Sequence, residues 1–250
     1  MKQGFEEGFL WGGAISCSQA EGGFREGGKG VSTQDLRYLD PSWDREQVEA
    51  KHHGSPFSTQ EFEQALQDMD TTYYPNRRGI DFYHHYKEDI ALFAEMGMKI
   101  FRTSICWSRI FPNGDDAQPN AQGIAYYRSM FEECKKYGIK IFATMLHYDI
   151  PVQLVLKYGG WKSRKTIDFY LRYAKVLFEE YGDLVDFWLP FNEFNAGRFA
   201  PWDGVCLIPD QEENLNQAVF QCLHHQFLAS ARAVALCHQM LPGAKIGGMI

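Results

Sequence analysis

The feature that most constrains the fold is an alternation of short apolar runs with longer segments of helical period. The apolar runs, which have the composition of buried strands, are FLWGGA from Phe9, KIFRTSI from Lys99, KIFATML from Lys140, DFWLPFNE from Asp186 and AKIGGMI from Ala244. Strands that alternate with helices predict a parallel sheet covered by those helices. No GxGxxG turn accompanies them, so the pattern favours a TIM (β/α)8 barrel over a dinucleotide-binding sheet.

Four main helices are predicted between these strands. Three of them carry apolar stripes at helical spacing, formed by Phe82, Tyr86, Ile90 and Phe93, by Ile124, Tyr127, Phe131 and Cys134, and by Ile167, Tyr170, Ala174, Leu177 and Tyr181. Ser163 is a suitable N-cap for the third helix, and the fourth runs from about Asn214 to Met240. The long polar segment 23–79 is expected to be functional or to contain short helices, for which EQVEAKHHG and TQEFEQALQDMD are candidates.

The number of strands is smaller than a closed barrel requires. Five parallel strands would leave the first and fifth with unpaired backbone groups and an open interior. We therefore expect residues 1–250 to be the N-terminal part of a single (β/α)8 barrel domain, with about five strands and four helices present. The missing C-terminal half would belong to a longer polypeptide or to a complementary partner.

Composition and charge exclude several classes of function. The net charge of -7 provides no basic surface for nucleic acid or anionic membranes. The six cysteines include no CxxC pair, which favours reduced, buried thiols in a cytoplasmic protein over a disulfide framework or a zinc site. The sequence also shows no signal-peptide pattern and no apolar stretch long enough to span a membrane. The segment GKGVST lacks the Gly-Lys-Ser/Thr ending of a phosphate-binding P-loop.

Polar side chains follow four consecutive predicted strands. They are Gln19 and Glu21, then Arg102, then His147 and Asp149, and finally Asn192 and Glu193. In a (β/α)8 barrel these strand ends would share one mouth. Each residue also has an ordinary structural explanation: Gln19 as a loop amide, His147 as a core histidine, and Asp149 as a turn or helix cap. Arg102 and Glu193 are harder to explain this way, since a buried charge needs a partner or a function.

This combination of side chains suits a sugar better than a metal. Amides, an imidazole and an arginine can bond hydroxyl groups, whereas His147 and Asp149 supply at most two metal ligands and His52 and His53 lie in the polar insertion. No GxSxG motif indicates acyl transfer. Glycosidic cleavage needs two carboxyl groups, and Glu193 is the candidate for the acid because burial favours the protonated form. No equally placed second carboxylate is present, which agrees with the missing strands.

Four segments resemble the N-terminal half of glycoside hydrolase family 1. The segments, in order between about Phe5 and Ile250, are FLWGGAISCSQAEGG, DFYHHYKEDIALFAEMGMKIFRTSICWSRIFPNG, TMLHYDIP and FNEFN. Within the family, GKGVST, YYPNRRGIDFYHHYKEDI and the sequence Asn-Glu-Phe-Asn are most similar to bacterial 6-phospho-β-glucosidases.

The resemblance implies a retaining double displacement that uses no metal and no organic cofactor. It assigns Glu193 as the general acid/base, Asn192 to the sugar 2-hydroxyl, and Gln19 and His147 to the other hydroxyls of the glycone. Arg102 would hold the nucleophilic carboxylate. That nucleophile, a Glu of the seventh strand, and the loop that receives the 6-phosphate would both lie beyond residue 250.

Two residues depart from the usual family pattern. Pro190 stands where a Thr is common, and would remove one backbone donor from a central strand. Tyr148 replaces a Trp or Phe.

The expected function is hydrolysis of 6-phospho-β-glucosides in the cytoplasm. The alternatives are an unphosphorylated β-glucosidase or β-galactosidase and a catalytically inactive half-barrel or sugar-binding fragment. We expect the 250-residue chain alone to be inactive.

Overall fold

The computed structural model describes residues 4–54 and 57–250, without the side chains of residues 50 and 52–54, so the predicted His52–His53 pair lies outside the described side chains. All five predicted strands form one parallel sheet in sequence order. The strands are β1 Gly12–Ile15, β2 Ile100–Ser104, β3 Lys140–Thr144, β4 Phe187–Leu189 and β5 Lys245–Ile246. The fold is therefore α/β, and β1 and β5 form the two edges of the described sheet.

Eleven helices are present in the described ranges. They are α1 Cys17–Ala20, α2 Arg45–Gly54, α3 Thr59–Gln67, α4 Pro75–Arg78, α5 Phe82–Glu95, α6 Trp107–Ile110, α7 Ala121–Lys136, α8 Val152–Tyr158, α9 Lys165–Tyr181, α10 Pro201–Val205 and α11 Leu215–Met240. The four predicted main helices are confirmed as α5, α7, α9 and α11. The two short helices predicted in the polar insertion are confirmed as α2 and α3.

The starts of the last two main helices show how local chemistry sets helix boundaries. Asn214 caps α11, since its side chain accepts a hydrogen bond from the Gln217 backbone N–H at 3.1 Å. Ser163 was predicted to cap α9, but the N-cap position falls on Arg164. The Ser163 hydroxyl still accepts a weak bond from the Lys165 N–H at 3.3 Å, so the prediction was wrong by one residue.

The sheet has one covered face and one open face. On the covered face, Phe101 of β2 packs against Phe93 of α5 with ring centroids 5.0 Å apart, and Trp188 of β4 meets Phe178 of α9 at 5.1 Å. On the other face, neighbouring strands align a row of side chains that are half-buried or exposed, formed by Ala14, Arg102, Phe142, Phe187 and Lys245. We call this second surface the concave face.

Strand β4 is shorter than the sequence indicates. It ends at Leu189, although the apolar run was expected to continue to Glu193. Pro190 follows the last ladder residue, so its lack of an N–H costs the sheet no hydrogen bond. Its carbonyl accepts from the Tyr170 hydroxyl at 2.7 Å. The prediction that Pro190 removes a backbone donor from a central strand is therefore wrong, because β4 ends before it.

The long segment after β1 folds back over the carboxyl ends of the strands. Ser32 forms an isolated antiparallel bridge with Pro151, and the Thr33 hydroxyl donates to the Tyr148 carbonyl at 3.2 Å. Lys29 and Asp35 form a buried ion pair at 2.5 Å within the segment. These contacts place one wall beside the strand ends that carry the predicted site residues.

Candidate active site

Gln19 is held at the end of β1 by the cap of helix α1. Its side-chain oxygen accepts from the Ser16 backbone N–H at 3.1 Å and from the Ser16 hydroxyl at 3.0 Å, which completes a capping box. The Gln19 side chain is otherwise exposed. The oxygen is thus committed to the helix start, and the amide NH2 group is the part that a ligand would meet.

Arg102 of β2 points onto the concave face and joins two other strand ends. Its Nε donates to the Thr144 hydroxyl at 3.1 Å, and its Nη2 donates to Asn192 Oδ1 at 2.6 Å. Burial lowers the pKa of Arg102, while the nearby Glu193 carboxylate raises it. In the described part of the chain, therefore, the Thr144 hydroxyl and the Asn192 amide orient this guanidinium, and the Glu193 carboxylate acts through space.

His147 lies after β3 and faces the same region. It lines a small cleft of about 70 Å³ together with Gln19, Arg102 and Thr144. Burial, and secondarily the charge of Arg102, lower the pKa of His147 to about 4. The imidazole is therefore neutral at pH 7 and offers one donor and one acceptor, as a sugar hydroxyl requires.

Glu193 is positioned by Tyr148, a contact that the sequence did not predict. The Tyr148 hydroxyl donates to Glu193 Oε2 at 2.7 Å. Both residues have positive φ values, 73° for Tyr148 and 31° for Glu193, which is unusual for residues other than glycine. Such conformations cost free energy, and they concentrate where function requires them. Tyr148 was noted in the sequence as a departure from the usual aromatic residue, but nothing there indicated its partner.

Two acidic candidates lie away from this group. Glu21 is buried and accepts hydrogen bonds from Arg109 Nε at 3.0 Å and from the Tyr127 hydroxyl. Asp149, predicted as a turn or helix cap, is fully buried, and the N-cap of α8 is Pro151. The prediction for Asp149 was wrong, because its carboxylate turns into the interior and accepts from the Cys17 thiol at 3.3 Å.

A second, wider cleft adjoins Tyr148. It has a volume of about 390 Å³, and its lining includes Tyr38, Phe199 and Asp203. Asp203 accepts from Arg37 Nη2 at 2.5 Å and from Gln34 Nε2 at 3.1 Å. The long segment after β1 thus forms one wall of this cleft, and the α10 region forms the other.

The described structure brings all five predicted residues to the carboxyl ends of β1 to β4. They are Gln19, Arg102, His147, Asn192 and Glu193. Parallel strands joined by helices, with polar side chains at their carboxyl ends, are the arrangement of part of a (β/α) barrel.

Comparison with known proteins identifies the family. The model of Glycosyl hydrolase family 1 matches residues 1–250, and the chain belongs to that family. Curated relatives include 6-phospho-beta-glucosidase AscB of Escherichia coli (strain K12), 47% identical over 246 residues, and aryl-phospho-beta-D-glucosidase BglH of Bacillus subtilis (strain 168), 48% identical over 246 residues. Each alignment covers 98% of this chain and 49% or 48% of the relative.

The solved structures agree with this assignment. A family 1 β-glucosidase from Thermotoga maritima superposes with a TM-score of 0.75 at 29% identity, covering 98% of this chain and 48% of the other. The chain therefore matches half of a family 1 barrel, and it spans about half the length of its curated relatives. None of the helices that the structure describes has the length and apolar character needed to cross a bilayer.

Proposed function

We propose that the protein containing this chain is a cytoplasmic 6-phospho-β-glucosidase that hydrolyses its substrate with retention of configuration. Residues 1–250 would form the N-terminal part of a single barrel domain. The nucleophilic glutamate would lie outside them, in the half of the barrel that completes the sheet. The observation that carries the proposal is the group formed by Glu193, Asn192 and Arg102 at the ends of β2 and β4, joined by the 2.6 Å Arg102–Asn192 hydrogen bond.

Glu193 would act as the general acid and then as the general base. It would first protonate the leaving glycosidic oxygen and later remove a proton from the water that releases the covalent sugar. The Tyr148 hydroxyl, 2.7 Å from Oε2, would hold the carboxyl group in one orientation during both steps. Because the Tyr148 pKa is raised, first by burial and then by Glu193, this hydroxyl remains a donor at neutral pH.

The neighbouring side chains would bind and orient the sugar. Asn192 would bond the 2-hydroxyl, a contact that strengthens as positive charge develops on the ring. Arg102 fixes Asn192 from one side and would present its remaining N–H groups to the nucleophilic carboxylate. Gln19 and His147 would bond the other glycone hydroxyls from the small cleft that they share.

The preference for a phosphorylated sugar is supported by the names of the relatives. Two relatives at 47% and 48% identity are named for phospho-β-glucoside substrates, whereas the Thermotoga β-glucosidase is 29% identical. Lys29, in the segment that resembles the phospho-specific branch, pairs with Asp35 and is not free to bind phosphate. The phosphate would therefore be bound by residues outside this chain. The alternative is an unphosphorylated β-glucosidase or β-galactosidase.

One comparison of substrates tests the proposal. The natural gene product is assayed with nitrophenyl β-glucoside and with the same compound carrying a 6-phosphate. We expect kcat/KM to be higher for the phosphorylated compound, and both reactions to depend on Glu193. A preference for the plain glucoside would favour the alternative, and the absence of hydrolysis with either compound would contradict the proposal.

The 250-residue chain alone should not turn over substrate, since it would have the acid/base but not the nucleophile. Purified chain is assayed beside its Glu193→Gln variant, so that contaminating glycosidase is recognised as activity common to both. Turnover by the chain that disappears in the variant would contradict this expectation.

A further inference from the structure

Three side chains that could bind a metal ion meet in the interior, on the segments that follow β1, β2 and β3. Cys17 lies in α1 after β1, Cys106 lies between β2 and α6, and Asp149 follows β3. Their sulfur and carboxylate oxygen atoms all lie within 4.8 Å of one another. The exposed fractions are 2% for Cys17, 3% for Cys106 and 0% for Asp149. Within the described residues this is the one group of three or more such side chains that converges so closely.

The carboxyl group of Asp149 has weak protein partners for such deep burial. Oδ2 accepts from Cys17 Sγ at 3.3 Å, and Oδ1 accepts from the His147 backbone N–H at 3.3 Å. The N–H bond is longer than the usual 2.7–3.2 Å, and a thiol is a weak donor. A buried carboxyl group needs a cation or strong donors to be stable in its ionised form.

The cations near the group are already paired. Lys29 Nζ lies 2.5 Å from Asp35 Oδ2, and Arg109 Nε lies 3.0 Å from Glu21 Oε2. Each positive charge is therefore balanced by its own carboxylate. Neither forms a hydrogen bond with Asp149 among the residues that the structure describes. Asp149 and the two thiols form a separate group with no positive charge of their own.

We propose that Cys17, Cys106 and Asp149 bind a thiophilic divalent cation, with Zn²⁺ the best match. Two thiolates and one carboxylate are preferred zinc ligands, with Zn–S near 2.3 Å and Zn–O near 2.0–2.2 Å. Tetrahedral coordination at these lengths places donor atoms about 3.5–3.8 Å apart, so the side chains need to approach one another by about 1 Å at most. A water molecule would complete the fourth position of the tetrahedron.

The ionisation of the thiols is compatible with such a site. A hydrogen bond from Cys17 and the charges of Lys29 and Arg109 lower the pKa of Cys106 to about 5, against the effect of burial. Burial raises the pKa of Cys17 and of Asp149. Metal binding requires the deprotonated form of all three ligands, so the protons that they carry are released to solvent when the metal binds.

The position of the site gives the metal a structural role. Cys17 precedes Gln19 by two residues, and Asp149 accepts directly from the backbone N–H of His147. A cation bound by these ligands would tie together the turns after β1, β2 and β3. The inference concerns these ligands alone and does not depend on the substrate or on the proposed function.

Metal titration of the natural gene product tests the inference. The tag-free, reduced protein is freed of metal with a chelator and titrated with Zn²⁺ against a chromophoric competitor, and then with Co²⁺, whose thiolate charge-transfer absorption reports the number of sulfur ligands. We expect one equivalent of Zn²⁺, two cobalt-bound thiolates and a higher unfolding temperature with zinc.

Matched variants locate the site. Cys17→Ser, Cys106→Ser and Asp149→Asn should each lower Zn²⁺ affinity by more than about 100-fold, since loss of an outer-shell partner alone costs 10–100-fold. Cys134→Ser, which changes another buried free thiol, should leave the affinity unchanged. If a ligand variant fails to fold, the cobalt spectrum of the unmodified protein still decides.

Two results would overturn the inference. The first is that the reduced protein binds no zinc, and the second is that stoichiometric binding survives both cysteine variants.

Discussion

The two faces of the sheet differ in what covers them and in what they carry. On the covered face, Phe101 and Trp188 are 2% and 1% exposed, and they pack against aromatic residues of α5 and α9. The concave face carries Arg102 between Ala14 and Phe142, and all three side chains keep contact with solvent. Among the described residues, one face is therefore packed into the core, and the other carries Arg102 and stays partly exposed.

This difference has a physical origin in the period of a strand. Successive side chains alternate between faces, so a single strand such as β2 supplies Phe101 and Thr103 to the core and Arg102 to the site. Substitutions one residue apart should therefore affect different properties. The predictions below use that separation, beginning with the largest effect.

Glu193→Gln should abolish function without affecting the fold. In the natural gene product we expect hydrolysis to fall by about 10²- to 10⁴-fold, because the acid/base step is lost. The free energy of unfolding, measured with urea, should change little. Glu132→Gln on the exposed side of α7 is the matched control and should change neither quantity. Full activity in the Glu193 variant would remove this residue from the mechanism.

Phe101→Ala and Phe142→Ala compare the two faces directly. Removal of a fully buried Phe costs about 3–5 kcal/mol. We expect Phe101→Ala to lower the unfolding free energy of the 250-residue chain by that amount, and Phe142→Ala to lower it by less than about half as much, since Phe142 is only partly buried. Equal losses would show that the concave face is covered in solution, for instance by a second copy.

Tyr148→Phe should slow hydrolysis by less than Glu193→Gln does. The hydroxyl holds the Glu193 carboxyl group in one orientation, so its removal should lower kcat by about 10- to 100-fold, the equivalent of one hydrogen bond to a charged group. Tyr158→Phe removes a similar tyrosine–carboxylate bond, to Asp115, and should leave kcat unchanged. An unchanged kcat for Tyr148→Phe would show that the contact has no role in orienting Glu193.

His147→Gln should have the smallest effect, on stability in acid. The pKa of His147 is lowered to about 4 in the folded chain, below its usual value near 6.5. As the pH falls from 6.5 to 4 the unfolded chain takes up this proton first, so the folded state loses stability. The variant should lose less stability over that range than the unmodified protein. His238→Gln, an exposed histidine near the end of α11, should behave like the unmodified protein.

The positions of the strands and main helices could be predicted because their signals are local. Apolar runs and helical stripes predicted all five strands, and Asn214 predicted the start of α11. The error at β4 has a local cause as well. The apolar run continues to Phe191, but strand pairing ends at Leu189, directly before Pro190, so apolar character and strand pairing end at different residues.

The contacts within the site could not be predicted from spacing. Tyr148 and Glu193 are 45 residues apart, and their hydrogen bond depends on backbone conformations with positive φ that neither residue type normally adopts. The group of Cys17, Cys106 and Asp149 illustrates the same limit. The sequence contains no CxxC pair, and Cys17 and Cys106 come together only through the pairing of β1 with β2.

The capping box at the start of α1 has a consequence for how position 19 tolerates change. The Gln19 side-chain oxygen completes the helix start, and the residue also lines the small cleft. Glutamate would preserve the cap and lose the donor, and asparagine is too short to reach back to the Ser16 N–H. Glutamine alone among the common side chains satisfies both demands at this position, so selection for a stable helix and selection for ligand binding should favour the same residue.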